Sequence, residues 1–291
     1  MSAVLRYVDL EQGSSEWLEY RKNKIGSSDA RVIMGECPWS TPYKLWLEKL
    51  SLAESKKANA QMQRGIKLED QARLSFFLET GIQMTPKVIL HPEYEWMMAS
   101  LDGIDESGRY ALELKCPGYE DHLKALNGKI PEKYYSQPQH SYECGKGSIE
   151  KVFYYSFDGE KGVILEPTRD NDYIQEMLIK EKDFYKCMTE VIPPAMNDKD
   201  YDDRKDDLFL QAAEEWKVIY DKLKEYEGLE DESRQHLIAL AQNRSCLGGG
   251  IRMTKSIRKG NVDYSAIPEL KGVNLDMYRK KSSEFWRFSK T

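Results

Sequence analysis

The sequence predicts an α/β fold built on a mixed sheet. Three observations carry this. The first third is punctuated as helices by capping residues and by Gly81. Between residues 86 and 115 the pattern changes to short runs rich in Val, Ile, Leu, Met and Tyr, bounded by turn residues. Two helical segments then intervene before a second pair of strand-like runs, which is the order of a crossover onto the same sheet.

In chain order, Ser14 or Ser15 caps a helix to about residue 24, with Trp17 and Tyr20 or Arg21 on one side. A short second helix is expected over 28–34. Thr41-Pro42, an N-cap followed by proline, opens a helix over 43–50. A longer helix over 59–79 ends at Gly81. Strands are expected over 86–90, 95–105 and 109–115, helices over 119–126 and 131–144, and strands over 151–157 and 162–166 about the turn Asp158-Gly159. A helix over 171–189 ends before Pro193-Pro194, which marks a boundary. Two further helices, 206–227 and 230–243, precede Gly248-Gly249-Gly250 and short alternating segments near 251–257 and 284–288. The expected division is a core over 1–197 and a C-terminal extension of helices, short strands and basic tail over 198–291.

Composition narrows the function classes. Apolar residues make up 40% and charged residues 32% of 291 positions, enough for a real core. No apolar run is long enough to span a bilayer, and residues 1–9 lack a secretory pattern, so a cytoplasmic protein without a membrane partner is expected. Five cysteines without CxxC spacing read as reduced thiols, not as a disulfide frame, a zinc site or an iron–sulfur cluster. The net charge of −6 hides an asymmetry, because residues 233–291 carry twelve basic and four acidic side chains. Within that tail, Arg252, Lys255, Arg258, Lys259, Arg279, Lys280, Lys281 and Arg287 interleave with Tyr264, Tyr278, Phe285 and Trp286. The tail suits structural packing with some contact to a phosphate backbone or unpaired bases.

The chemistry centres on Ser100-Leu101-Asp102-Gly103 and Leu112-Glu113-Leu114-Lys115-Cys116-Pro117. Strand alternation puts Glu113 and Lys115 on one face, and Leu112 and Leu114 on the other. A two-residue turn at Ser107-Gly108 would set Asp102 opposite Glu113 on the same face. Their Cβ atoms would then be about 5 Å apart, where like charges repel. One carboxyl must be protonated or a cation must sit between them, unless the hairpin is exposed and its charges merely scattered. A hard divalent ion such as Mg²⁺ takes such oxygens, with Lys115 near a water or phosphate. Glu69 lies on a helical face with Gly65, Leu68, Ala72 and Phe76, a third carboxylate beside a packed surface.

These residues carry a resemblance. Asp102 with Glu113-Leu114-Lys115 resembles the D…ExK signature of the PD-(D/E)XK nucleases, and the finer match is to the YqaJ-type viral recombinases, the phage lambda exonuclease family. Five pieces follow in family order: Arg21 with Ile25-Gly26-Ser27-Ser28-Asp29-Ala30; Thr41-Pro42-Tyr43-Lys44-Leu45-Trp46; Arg64-Gly65 with Glu69 and Ala72-Arg73; the two core segments; and Tyr134-Tyr135-Ser136-Gln137-Pro138-Gln139. The Gln-Pro step departs from the usual aliphatic residue after the glutamine. The resemblance covers about residues 10–195.

It implies a restriction-endonuclease-like core and a metal-dependent exonuclease acting 5′ to 3′ on linear duplex DNA to leave 3′ overhangs. Asp102, Glu113 and the Leu114 carbonyl would bind Mg²⁺ or Mn²⁺, and Glu69 would help with a second ion. Lys115 would orient the attacking water, Gln137 would assist there, and Arg21 and Ser28 would hold a terminal 5′-phosphate. It further implies a ring-shaped homo-oligomer and a single-strand annealing protein as partner. Alternatives are a related endonuclease or repair nuclease, or a DNA-end-binding scaffold with little turnover. His140 reads as a packing residue and Cys116 as a small buried filler.

Overall fold

The computed structural model describes residues 5–53, 60–257, 260, 267–270 and 273. The chain divides into two compact units, Met1–Tyr201 and Asp202–Thr291.

The first unit holds the α/β core that the sequence predicts, a six-stranded sheet in the order β1 to β6. Its strands are β1 (Arg6–Val8), β2 (Thr85–Leu90), β3 (Met98–Ile104), β4 (Tyr110–Lys115), β5 (Lys151–Phe157) and β6 (Gly162–Leu165). All neighbours are antiparallel except β4 and β5, which run parallel from Tyr110 opposite Lys151 to Lys115 opposite Ser156. That parallel pair needs a crossover, and α5 (Tyr119–Leu126) and α6 (Glu132–Cys144) supply it. The helices α1 (Ser15–Lys22), α2 (Ser27–Ile33), α3 (Pro42–Lys49), α4 (Ala60–Thr80) and α7 (Asn171–Glu190) complete the unit.

Apolar alternation explains how the layers close. On one side of the sheet, Ile89, Ala99, Leu101, Ala111 and Val152 meet Ala30 of α2, Tyr142 of α6 and Ile174 and Met177 of α7. On the other, Leu112, Leu114, Phe153 and Tyr155 meet Ala72 and Phe76 of α4. Gly103 is tightly enclosed: a Cβ there would lie 2.7 Å from the Met84 Cβ and 3.3 Å from the Leu112 Cβ. All five cysteines are free thiols.

Several details differ from expectation. The edge strand β1 is too short at three residues to show a period, and it was not foreseen. The strand expected over 95–105 begins only at Met98, because Met97 N–H closes a turn onto Tyr94 C=O and Tyr94, Trp96 and Tyr185 stack in series. The hairpin loop is wider than two residues: the Asp105 carboxylate accepts the N–H groups of Ser107, Arg109 and Tyr110, and Gly108 takes a positive φ of 72°. The helix expected over 131–144 is present as α6, continuous around Pro138.

In the second unit, the two helices expected over 206–243 are one, α8 (Asp207–Leu240), running straight through Gly228. A glycine inside a helix costs only about 1 kcal/mol, and i,i+4 pairing such as Glu230 with Arg234 works in the other direction. A hairpin of β7 (Cys246–Gly248) and β8 (Ile251–Met253) follows. Residue 59, the segment near 284–288, and Arg258, Lys259, Tyr264, Tyr278, Arg279, Lys280, Lys281, Phe285, Trp286 and Arg287 lie outside the described residues.

Candidate active site

The site lies where the sheet forks. The hairpin pairs Ile104 with Ala111 and Gly103 with Leu112, the register that sets Asp102 opposite Glu113. A regular ladder would next join Leu114 N–H to Leu101 C=O. Instead, Leu114 N–H donates to Asp102 Oδ2 at 2.7 Å, and Leu101 C=O accepts the Gln12 side chain at 2.9 Å. Arg73 of α4 holds the Asp102 carbonyl at 3.0 Å. The Asp102 side chain thus fills the gap where β3 leaves β4.

Around it, Lys115 Nζ is ion-paired to Glu113 Oε1 and also donates to the Leu114 carbonyl at 3.1 Å. Gln137 Nε2, from α6, donates to the same Glu113 oxygen at 2.9 Å. Burial, then the Glu113 charge, pushes the Asp102 carboxyl up to about 7. Burial alone would lower the Lys115 ammonium, but Glu113 and Asp102 raise it above its ordinary value. Glu69, half-buried on α4, is raised by burial and feels the charges of Lys115 and Glu113. The structure therefore brings Asp102, Glu113, Leu114, Lys115 and Gln137 together and sets Glu69 within electrostatic range.

The donor set suits a hard divalent cation. It offers carboxylates, one of them held partly protonated near neutrality, and a main-chain carbonyl at the fork. Gln137 Oε1 is buried without any hydrogen-bond partner. An orphaned oxygen beside crowded carboxylates is what an oxygen-seeking ion would satisfy. Among the described residues no three His, Cys, Asp or Glu side chains stand as a ready cage; as the side chains stand, Lys115 neutralises Glu113.

A second group sits on α1 and α2. Arg21 donates to Ser28 Oγ at 3.0 Å and to Asp29 Oδ1 at 3.4 Å, and its guanidinium lies 4.7 Å from the Trp17 ring centre. Trp17 Nε1 in turn donates to Ser100 Oγ at 3.0 Å. Ser100 precedes Asp102 by two residues on β3. Arg21 and Ser28 are therefore joined to each other and tied to the strand that carries Asp102. Sequence reasoning missed what holds them. Buried Lys49 donates to Asp29 Oδ2 at 2.6 Å and to the carbonyls of Arg21 and Lys24. Burial would raise Asp29, but Lys49 and Arg21 hold it below its usual value. His140 is a packing residue with a charge partner: its Nδ1 meets Glu181 at 2.8 Å and its Nε2 the Met98 carbonyl at 2.9 Å, all out of solvent. Cys116 is part-buried, and burial pushes its thiol up to about 11, away from nucleophilic use.

A forked sheet with D…ExK residues at the fork defines the class, a restriction-endonuclease-like core. Residues 16–145 match the YqaJ-like viral recombinase domain. The chain is 30% identical to the uncharacterized protein YqaJ of Bacillus subtilis (strain 168) over 181 residues, 60% of this chain but only 56% of that relative's length. Among solved structures, it resembles the alkaline exonuclease LHK-Exo of Laribacter hongkongensis, with a TM-score of 0.53. The complex of LHK-Exo with dAMP gives a TM-score of 0.54. Both are 26% identical to this chain, and each match covers 62% of it and 94% of the neighbour. No described helix is long and apolar enough to cross a membrane.

Proposed function

We propose that the chain is a divalent-metal-dependent exonuclease that digests one strand of linear duplex DNA from its 5′ end. It would leave a 3′ single strand for an annealing protein. The observation that carries this reading is the fork cluster: Asp102 on the Leu114 N–H, with Glu113, Lys115 and Gln137 bonded together beside it. The likeness to an alkaline exonuclease, one structure of which is a complex with dAMP, supports the same reading. The ring-shaped homo-oligomer implied by the resemblance belongs to it too.

In this reading Asp102, Glu113, the Leu114 carbonyl and Glu69 hold Mg²⁺ or Mn²⁺, in one or two ions. The bound metal supplies positive charge for the phosphate oxygens and lowers the pKa of a water. Lys115 orients that water and offsets charge building on the phosphate. Gln137 steadies Glu113 and offers its unpartnered oxygen to the water or the metal. Arg21 and Ser28 grip the terminal 5′-phosphate, an anion suited to a guanidinium with a hydroxyl. Hydrolysis breaks the bond from phosphorus to the terminal nucleotide's 3′-oxygen, which leaves with a proton from water. The phosphate stays on the next nucleotide as its new 5′ end, so each cut restores the group that Arg21 recognises.

The test is digestion of linear duplex DNA labelled at a 5′-phosphorylated end with Mg²⁺, beside a closed circle and Asp102→Ala. Mononucleotides from the linear DNA alone, and none from the variant, are expected. Cutting of the circle would move the reading to an endonuclease. End binding without cleavage in Mg²⁺ or Mn²⁺ would leave a scaffold.

A further inference from the structure

Arg31 stands apart from every other arginine of the first unit. Among the described residues, Arg6, Arg21, Arg73, Arg109 and Arg169 each pair with a carboxylate, and Arg64 donates to main-chain carbonyls. Arg31 has neither. Its Nε is buried and has no hydrogen-bond partner. Of the carboxylates nearest in sequence, Asp29 is engaged by Lys49 and Arg21, and Glu36 takes the Tyr173 hydroxyl on Oε1 and forms no ion pair with Arg31, its Oε2 being buried without a partner as well. A guanidinium cannot shed its charge in a protein, and a buried donor without an acceptor is costly.

Its position says what is missing. Ser27 Oγ on α2 lies 3.5 Å from Ser141 Oγ on α6. Arg31 is four residues on from Ser27 and so lies on the α2 face turned to α6, the helix that carries Gln137. It is also three residues on from Ser28, one turn beyond the group joined to Arg21. A cation without a counter-ion, beside the group that joins Arg21 and Ser28, calls for an anion.

We infer that Arg31 binds a phosphodiester of the DNA strand, the one immediately inside the terminal phosphate, where the strand passes from Arg21 and Ser28 to Lys115. This rests on the nuclease reading and adds to it a residue that holds the phosphate being cut. A guanidinium presents a planar fork of N–H donors that matches two phosphate oxygens. Nε, the atom now unpartnered, belongs to that fork.

The test uses the full chain made cleavage-inactive by Asp102→Asn, with duplexes carrying one neutral methylphosphonate at the first, second or third linkage from the 5′ end. Affinity is read by fluorescence anisotropy. The neutral first linkage is expected to weaken binding about 10- to 100-fold. Adding Arg31→Gln should weaken binding of ordinary DNA by a similar factor and remove the methylphosphonate penalty at that linkage only. Arg31→Lys should restore part of it, and checks the result should Arg31→Gln fold poorly. Preference for a 5′-phosphate over a 5′-hydroxyl should survive in both. If the first-linkage penalty persists undiminished in both Arg31 variants while DNA ends still bind, the assignment to Arg31 is overturned and the nuclease reading stands. If the Asp102→Asn chain shows no affinity for duplex ends, the nuclease reading falls first and Arg31 with it.

Discussion

Asp102 Oδ2 accepts the main-chain N–H of Leu114 at 2.7 Å, standing in for the strand carbonyl that a continuous ladder would offer. The same carboxyl is pushed up to about 7 by burial and by Glu113. A folded-state value above the ordinary 3.8 means that the native state holds the proton more tightly than the unfolded chain does. Metal-free stability should therefore fall as pH rises from about 4 to 7, with the full cost present above that range. Asp102→Asn, which keeps an oxygen for Leu114 N–H, is expected to raise the metal-free melting temperature by a few degrees at pH 8 and by less at pH 5. Millimolar Mg²⁺ should stabilise the parent protein and leave the variant unmoved. Calorimetry with and without EDTA checks both.

Gln137 separates chemistry from stability. Gln137→Leu removes one donor to Glu113 Oε1, which keeps Lys115, and deletes the unpartnered Oε1. Melting should stay within a degree or two of the parent or rise slightly. Single-turnover cleavage should fall about 10- to 100-fold, roughly the share of a positioned polar group. A variant that melts far lower and cleaves normally would assign Gln137 to packing.

Lys49 and Asp29 form a buried ion pair at 2.6 Å beneath Arg21. Removing one partner strands the other, at about 3–5 kcal/mol. Lys49→Met should then melt roughly 6–15 °C lower. Lys49→Met with Asp29→Leu should recover most of that loss. Because Asp29 also braces the Arg21 guanidinium, the double variant should lose the preference for 5′-phosphorylated over 5′-hydroxyl ends that the proposed function predicts, measured as a ratio of initial rates.

His140 and Glu181 give a second pH dependence. Burial would lower the imidazole's value, but the Glu181 carboxylate raises it above the ordinary 6.5. The pair's contribution should be whole below about pH 6.5 and fade as the pH climbs through the raised value. The melting gap between the parent and His140→Gln should be widest near pH 6 and narrower at pH 9. A gap constant across that range would mean that the pair carries no net charge.

The hairpin register was legible because the turn residues and the alternation of Leu112 and Leu114 specify it together. The loop width was not, since the Asp105 side chain supplies acceptors that a strand would have given. The fork itself was hidden, because Gln12 reaches Leu101 from 89 residues away. Lys49 with Asp29 and His140 with Glu181 are 20 and 41 residues apart, so no local pattern announces either pair. The site residues on β3, β4 and α6 were legible as motifs; Arg31 was not, because its distinction is a partner it lacks.

Gly103 follows the carboxylate at the fork and has no room for a Cβ against Met84 and Leu112. The smallest substitution there, to alanine, forces Met84 or the strand that carries Asp102 to shift. Drift in sequence at this position can therefore reach the chemistry without touching a reacting atom. In the proposed reading fold and catalysis are not separate traits, and a lineage that altered Gly103 would have to rebuild the fork to keep the site.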